Sequence, residues 1–287
     1  MRVEFLLICF GLIGGTVTAR QTGADPTPPA GHRMPGAPPV VTITAREYAF
    51  DGPDSVESGP TVLRLVSAGR EQHFLGLVKL SGSHTLADYS RVLSWKVLPP
   101  WVIAVGGVGT IAPGGTATTT LVLEPGLYAM VCDMEDAQGT PHMRKGMLRS
   151  LTVLPRANGA VMPTPDVKID LTEFAFMAPE TLPAGLRLVE VRNAGSQPHM
   201  ALVWRLVSSG SASAVIHWLD NPSDTSHPVV LVGGVPDLAP GRGAQLQLPL
   251  QVGHYLMICL VGDTPGQTAH YHKGMIKEFT VVPMGGR

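Results

Sequence analysis

Tyr128-Ala129-Met130-Val131-Cys132 and, 127 positions later, Tyr255-Leu256-Met257-Ile258-Cys259 are the stretches that decide how this chain is read. Each is a short apolar run, introduced by a glycine turn (Pro125-Gly126, Val252-Gly253) and ending on a cysteine. Alternate residues of a strand point to one face, so Tyr128, Met130 and Cys132 share a face, as do Tyr255, Met257 and Cys259. Beyond each cysteine the two copies stay in step. The first reads C-x9-H-x4-M through His142 to Met147, and the second reads C-x10-H-x4-M through His270 to Met275. An isolated histidine precedes each cysteine, His73 by 59 positions and His199 by 60. One thiolate, two imidazoles and a weak thioether form the donor set that suits copper in an electron-transfer site. Singly, each residue reads as core filler or a structural histidine. Repeated together, they read as a site.

The repeat continues outward from these clusters. Val41-Thr42-Ile43-Thr44-Ala45 and Val167-Lys168-Ile169-Asp170-Leu171 alternate apolar and polar, the period of half-buried strands. In both copies the alternation then slips by one residue, at Tyr48/Phe50 and at Phe174/Phe176, which predicts a β-bulge at the same place in each half. Thr119, Leu121 and Leu123 match Leu246, Leu248 and Leu250. Leu151/Val153 and Phe279/Val281 close each half with a final strand. Short strands between glycine and proline turns predict an antiparallel sandwich or barrel.

At these residues the chain resembles the cupredoxins, small Greek-key β-sandwiches that hold type 1 (blue) copper. Asn193-Ala194-Gly195-Ser196-Gln197-Pro198-His199 looks like the cupredoxin loop that delivers the first histidine ligand. Ser67-Ala68-Gly69-Arg70-Glu71-Gln72-His73 is its weaker twin. Pro125-Gly126-Leu127-Tyr128 running into Cys132 resembles the family's approach to its ligand cysteine, and the two H-x4-M pairs resemble its closing ligands. The resemblance covers nearly all of residues 41–283. It implies an all-β chain of two tandem Greek-key β-sandwich domains, each with one type 1 copper and each handing electrons to a redox partner protein. The implied ligands are His73, Cys132, His142 and Met147 in the first domain and His199, Cys259, His270 and Met275 in the second. The chain departs from the family in its cysteine-to-histidine loop, which is longer than that of the small single-domain members. His272 is an alternative to His270, which is preferred because it keeps the four-residue gap to Met275.

The expected layout is a signal peptide at 1–19, a Pro-rich linker at 20–40, domains at 41–154 and 167–283, and a linker at 155–166. Arg2, the apolar run from Phe5 to Gly15 and the small residues Val17-Thr18-Ala19 read as a cleavable export signal. That run is too short to span a bilayer, so the mature chain is expected in the periplasm or outside the cell, with no transmembrane segment. Of the three cysteines, cleavage removes Cys9 and leaves one per repeat; a disulfide between Cys132 and Cys259 is not expected, since each should point into its own core. With 15% charged residues and a formal net charge of −1, the chain offers no basic footprint for nucleic acid.

No catalytic residues are expected. The neighbours of the cysteines are Val131, Asp133, Ile258 and Leu260, so no histidine stands beside either cysteine to build a second copper centre. His84, His217, His227 and His254 have no partners at ligand spacing. The apolar residues Met130, Val131, Met257 and Ile258 predict fairly high reduction potentials, because burying net charge is costly. Asp133, Glu135 and Asp136, against Val261, Gly262 and Asp263, predict the lower potential for the first site. Two other readings stand beside the electron carrier: a metal-free cupredoxin-like binding module, and a Cu(I) storage or delivery protein, the latter prompted by Met134 and Met143.

Overall fold

The computed structural model describes residues 36–93, 98–207, 210–221, 223–262 and 268–285. The export signal at 1–19, most of the Pro-rich segment and Asp263 lie outside the described residues. No helix among the described residues is long and apolar enough to cross a membrane.

The first half contains β1 (Val40–Arg46), β2 (Ala49–Asp51), β3 (Ser55–Ser67), β4 (His73–Leu80), α1 (Leu86–Val92), β5 (Val102–Ile111), β6 (Thr116–Leu123), β7 (Gly126–Val131) and β8 (Leu148–Ala157). One sheet has the order β2-β1-β3-β6 and the facing sheet β3-β8-β7-β4-β5. Strand β3 serves both: Ser55–Ser58 pair with β8, and the residues from Gly59 onward pair with β6. The change of sheet falls at Gly59, whose φ of 115° suits glycine.

The second half repeats the plan with β9 (Val167–Thr172), β10 (Ala175–Met177), β11 (Thr181–Pro183), β12 (Gly185–Asn193), β13 (His199–Leu206), α2 (Ala212–Asp220), β14 (Val229–Leu238), β15 (Gly243–Leu250), β16 (Gly253–Ile258) and β17 (Ile276–Val282). Its sheets run β10-β9-β12-β15 and β11-β17-β16-β13-β14. Strands β11 and β12 are together the counterpart of β3, broken at Gly185 with φ 116°. The chain is therefore all-β, two sandwiches in tandem, as its alternating patterns predict.

The halves join edge to edge. Strand β6 pairs with β15 (Leu121 opposite Ala244), and β5 meets β14 where Val105 lies opposite Leu238. Both sheets thus continue from one half into the other, and the buried apolar residues form one connected cluster across the join. Gly109 sits so close to Gly234 that a Cβ there would lie 2.6 Å from the Gly234 carbonyl oxygen. The Glu124 carboxylate receives both Arg242 guanidinium nitrogens, at 2.8 and 3.0 Å, and Lys79 at 2.7 Å.

One feature differs from the sequence reading. The shared slip is not a bulge but a two-residue hairpin: Arg46 pairs with Ala49 and Thr172 with Ala175. Tyr48 and Phe174 take left-handed φ values of 63° and 60°, and the chain reverses there. A reversal and a bulge both shift the alternation by one, so periodicity alone does not separate them. Register shifts lie instead in the β3–β8, β4–β5 and β13–β14 pairs, the last two each having one directly after the first histidine.

Ala129 and Val131, on the far face of β7, are buried as well. They pack with Tyr89 and Val92 of α1, while Trp218 and Leu219 of α2 cover Leu256 and Ile258 of β16. Each cysteine strand is therefore covered on both faces.

Candidate metal centres

Three separate segments deliver each donor set. His73 opens β4 and His199 opens β13; Cys132 and Cys259 follow directly on β7 and β16. The second histidine opens a 3-10 turn, His142–Lys145 or His270–Lys273, which ends on Gly146 (φ 115°) or Gly274 (φ 102°). These left-handed glycines turn the chain back, so that Met147 and Met275 enter the next strand beside the cysteine. In the first half, Cys132 N–H donates to the Met147 carbonyl at 3.3 Å, Met143 N–H to Cys132 at 2.8 Å, and Met147 N–H to His142 at 3.0 Å. The second half repeats all three bonds, at 3.1, 3.1 and 2.9 Å. The extra residue of its loop leaves this frame unchanged.

The side chains converge. His73, Cys132 and His142 have donor atoms within 4.8 Å of one another, and so do His199, Cys259 and His270. Cys132 Sγ lies 3.6 Å from His142 Nδ1, and Cys259 Sγ lies 3.5 Å from His270 Nδ1. His199 Nδ1 and His270 Nδ1 are 3.1 Å apart. Donors sharing one ion at bond lengths of about 2.0–2.3 Å lie roughly 3.1–3.7 Å apart, so the spacing fits a single small metal. Met147 and Met275 are fully buried.

The electrostatics suit a metal as well. All four imidazoles are at most 1% exposed, and both ring nitrogens of His73 are buried without a hydrogen-bond partner. Such orphaned atoms are rare in native cores. Burial lowers the pKa of His73, and the neighbouring His142 adds to this; the same two causes, with His270 as neighbour, bring His199 down to about 4. Burial likewise lowers His142 and His270. These rings are thus neutral near pH 7, with lone pairs free for a cation. Burial pushes both thiols up to about 12. Against that, backbone N–H groups of Phe74 and Met134 point to Cys132, and those of Met200 and Val261 to Cys259, which favours the thiolate. A bound metal displaces the thiol proton outright.

Both cysteines are free and buried in their own halves. His272 stays outside its trio: its Nε2 lies 3.0 Å from Asp220 and its side chain is 38% exposed. His84 stacks on Trp101 at 4.1 Å, His217 bonds with Asn221, and His227 packs against Trp218. His254 lies near Thr280. None of these joins a cluster.

In both halves a further layer surrounds the trio, and the sequence reading missed it. Glu47 and Glu173, the first turn residues of the two hairpins, accept backbone N–H bonds from Arg70 and from Ser196, pinning the loops that deliver His73 and His199. The second turn residue, Tyr48 or Phe174, sets its ring edge-on to His142 or His270 at 5.1 Å. Gly69 and Gly195 make room: a Cβ at either would lie 2.9 Å from the histidine Nε2. The signals were present as repeats, Glu47-Tyr48-Ala49-Phe50 against Glu173-Phe174-Ala175-Phe176, and a Lys-Gly-Met after each second histidine. Asp136, expected as a loop charge, is 4% exposed; it accepts from Gln138 and Thr140 N–H at 2.8 and 2.9 Å and pairs with Lys145.

Among solved structures, the chain is similar to a dithionite-reduced auracyanin from Roseiflexus castenholzii (22% identity, TM-score 0.30, 42% of this chain and 99% of that one). It is also similar to auracyanin A, a "blue" copper protein from Chloroflexus aurantiacus (19%, 0.30, 40% and 98%). A Cu-containing nitrite reductase from Thermus scotoductus matches over 86% of this chain but 62% of its own, at 15% identity and TM-score 0.26. No protein-family model and no curated relative matches.

Proposed function

We propose that this chain is an exported copper-binding electron-transfer protein with one type 1 copper in each of two cupredoxin domains, 41–154 and 167–283. The observation that carries this reading is the pair of buried His-Cys-His trios, each with donor atoms within 4.8 Å. His73, Cys132 and His142 would hold one copper and His199, Cys259 and His270 the other, with Met147 and Met275 as the weak axial donors. When bound, copper supplies a one-electron couple whose two states accept nearly the same low-coordinate thiolate site. The protein's part is rigidity and exclusion of water. Two sheets, a capped 3-10 turn and the glutamate-pinned loops hold the donors, and burial keeps the imidazoles neutral.

The reading assigns no catalytic step and expects a redox partner protein. Among the described residues these two trios are the candidate metal clusters. Strand β5 links them indirectly: Ile111 lies opposite His73, while Val105 lies opposite Leu238 of β14, which is in turn the partner of His199 on β13.

Addition of Cu(II) tests the proposal. The protein should turn intensely blue and bleach reversibly on reduction, with Cys132→Ser and Cys259→Ser each removing about half of the colour. Colourless binding of Cu(I) that a chelator strips away would support the storage reading instead, and no binding at all would leave a metal-free module.

A further inference from the structure

The two trios have the same residue types and the same Sγ–Nδ1 contact but differ in the side chains behind the second histidine. In the first half, Glu71 Oε2 lies 2.7 Å from His142 Nε2, the ring nitrogen opposite the one that faces Cys132. Glu71 is held in place from two sides. The Tyr48 hydroxyl donates to its Oε1 at 3.1 Å, and its own backbone N–H donates to Glu47 at 3.2 Å. Lys145 donates to the Tyr48 hydroxyl at 3.1 Å, which leaves that oxygen's proton for Glu71. In the second half the matching positions carry Gln197 and Phe174, neither of which bears a charge.

We infer that Glu71 is a positioning residue of the first copper site, fixing the His142 ring through Nε2 and stabilising the oxidised metal relative to the reduced one. The inference rests on the copper reading above and goes beyond it by assigning a role to a side chain outside the ligand set. A metal on His142 Nδ1 leaves Nε2 protonated, and a carboxylate oxygen in ion-pair contact with that nitrogen, at 2.7 Å, raises the basicity of the ligand through its charge. Its negative charge also favours the state in which the copper-thiolate unit carries net positive charge. His142 is 1% exposed and Glu71 34%, so water screens the pair only in part. Asp136 of the following loop is less well placed, since it is already engaged by Lys145 and two backbone amides.

The test uses the full chain in a Cys259→Ser background, so that only the first site forms the blue chromophore. Glu71→Gln keeps the size and hydrogen-bonding capacity of the side chain and removes its charge. The expected result is a protein that still turns blue, with Cu(II) affinity lowered about tenfold against Cu(I), which is a rise of about 59 mV in a one-electron potential. Tyr48→Phe, the residue the second half already carries at that place, should shift the potential the same way by less. An unchanged potential in a blue Glu71→Gln protein overturns the assignment and leaves the copper reading intact. Should Glu71→Gln fail to fold, an unchanged potential in Tyr48→Phe overturns it equally. Absence of any blue species in the Cys259→Ser parent overturns the copper reading for this site, and the role of Glu71 with it.

Discussion

At the scale of single residues, the first histidine of each half depends on the loop before it. Asn193 is fully buried and satisfies three backbone groups: its Nδ2 donates to the Gln197 and Leu238 carbonyls at 2.8 and 2.7 Å, and its Oδ1 accepts from Gly195 N–H at 2.9 Å. Leu238 is the strand partner of His199, so this side chain ties the ligand loop to β14. The first half has Ser67 at this place, with its hydroxyl buried and without a partner. Asn193→Ala should cost roughly 2–4 kcal/mol of stability, since several buried polar groups lose partners at about 1–3 kcal/mol each, only partly additively. Urea unfolding measures that loss. Copper titration should show weaker binding at the second site with the first unaffected; equal weakening of both sites would mean the loop is not locally coupled to His199.

At the scale of elements, the cysteine strands are anchored at their start as well as at their end. Tyr128 OH donates to the Glu124 carbonyl at 2.8 Å and accepts from Glu124 N–H at 3.1 Å. Tyr255 does the same with Gln251, both bonds at 2.9 Å. Each tyrosine thus clamps the turn four residues upstream, as tyrosine corners do in other sandwiches. Tyr128→Phe and Tyr255→Phe should each lower stability by about 1–3 kcal/mol, read as a shift in urea midpoint with an unchanged slope. Loss of copper colour without loss of stability would count against this account.

The same strands show what was legible beforehand. Tyr128, Met130 and Cys132 were placed on one face by their period of two, and they are buried there. Their neighbours Ala129 and Val131 point to the opposite face, where α1 covers them. Each of the two helices is short, with at most nine residues. Helical periodicity is weak over so few positions, which is why the covers went unread.

At the scale of the whole molecule, Glu124 is the charged hinge-pin of the join. Arg242, then Lys79, hold its carboxyl down to about 2. An unfolded glutamate titrates near 4.3. Because the folded value is the lower one, the contribution is fully present above the unfolded pKa and disappears as pH falls through about 2. Glu124 is 44% exposed, so water screens the pair and its effect is modest. Thermal unfolding of the wild type and of Glu124→Gln should therefore differ above about pH 5 and converge below about pH 2. A difference that persisted in strong acid would mean that something other than this charge pair is lost. Replacement of Gly109 by Ala should loosen the same join, because the new methyl group runs into the Gly234 carbonyl. Scanning calorimetry should then resolve two transitions where the wild type shows one.

Residue order alone marked out β1, β6, β7 and β8 with their twins β9, β15, β16 and β17, the doubling of the fold, and the histidines and cysteines of the two trios, because alternation and spacing are local properties that repeat in both copies. Only the tertiary structure decided that Nδ1 of each second histidine faces the sulfur, that His270 rather than His272 joins its trio, and that Glu71 stands behind His142. It also decided that a hairpin, not a bulge, explains the slip at Tyr48. The reason is distance along the chain: Glu71 and His142 are 71 positions apart, and no periodic pattern links them. Contacts of that kind arise from how two sheets and their loops pack. A carboxylate and an imidazole meet there only because a hairpin, a strand start and a 3-10 turn converge on one buried volume.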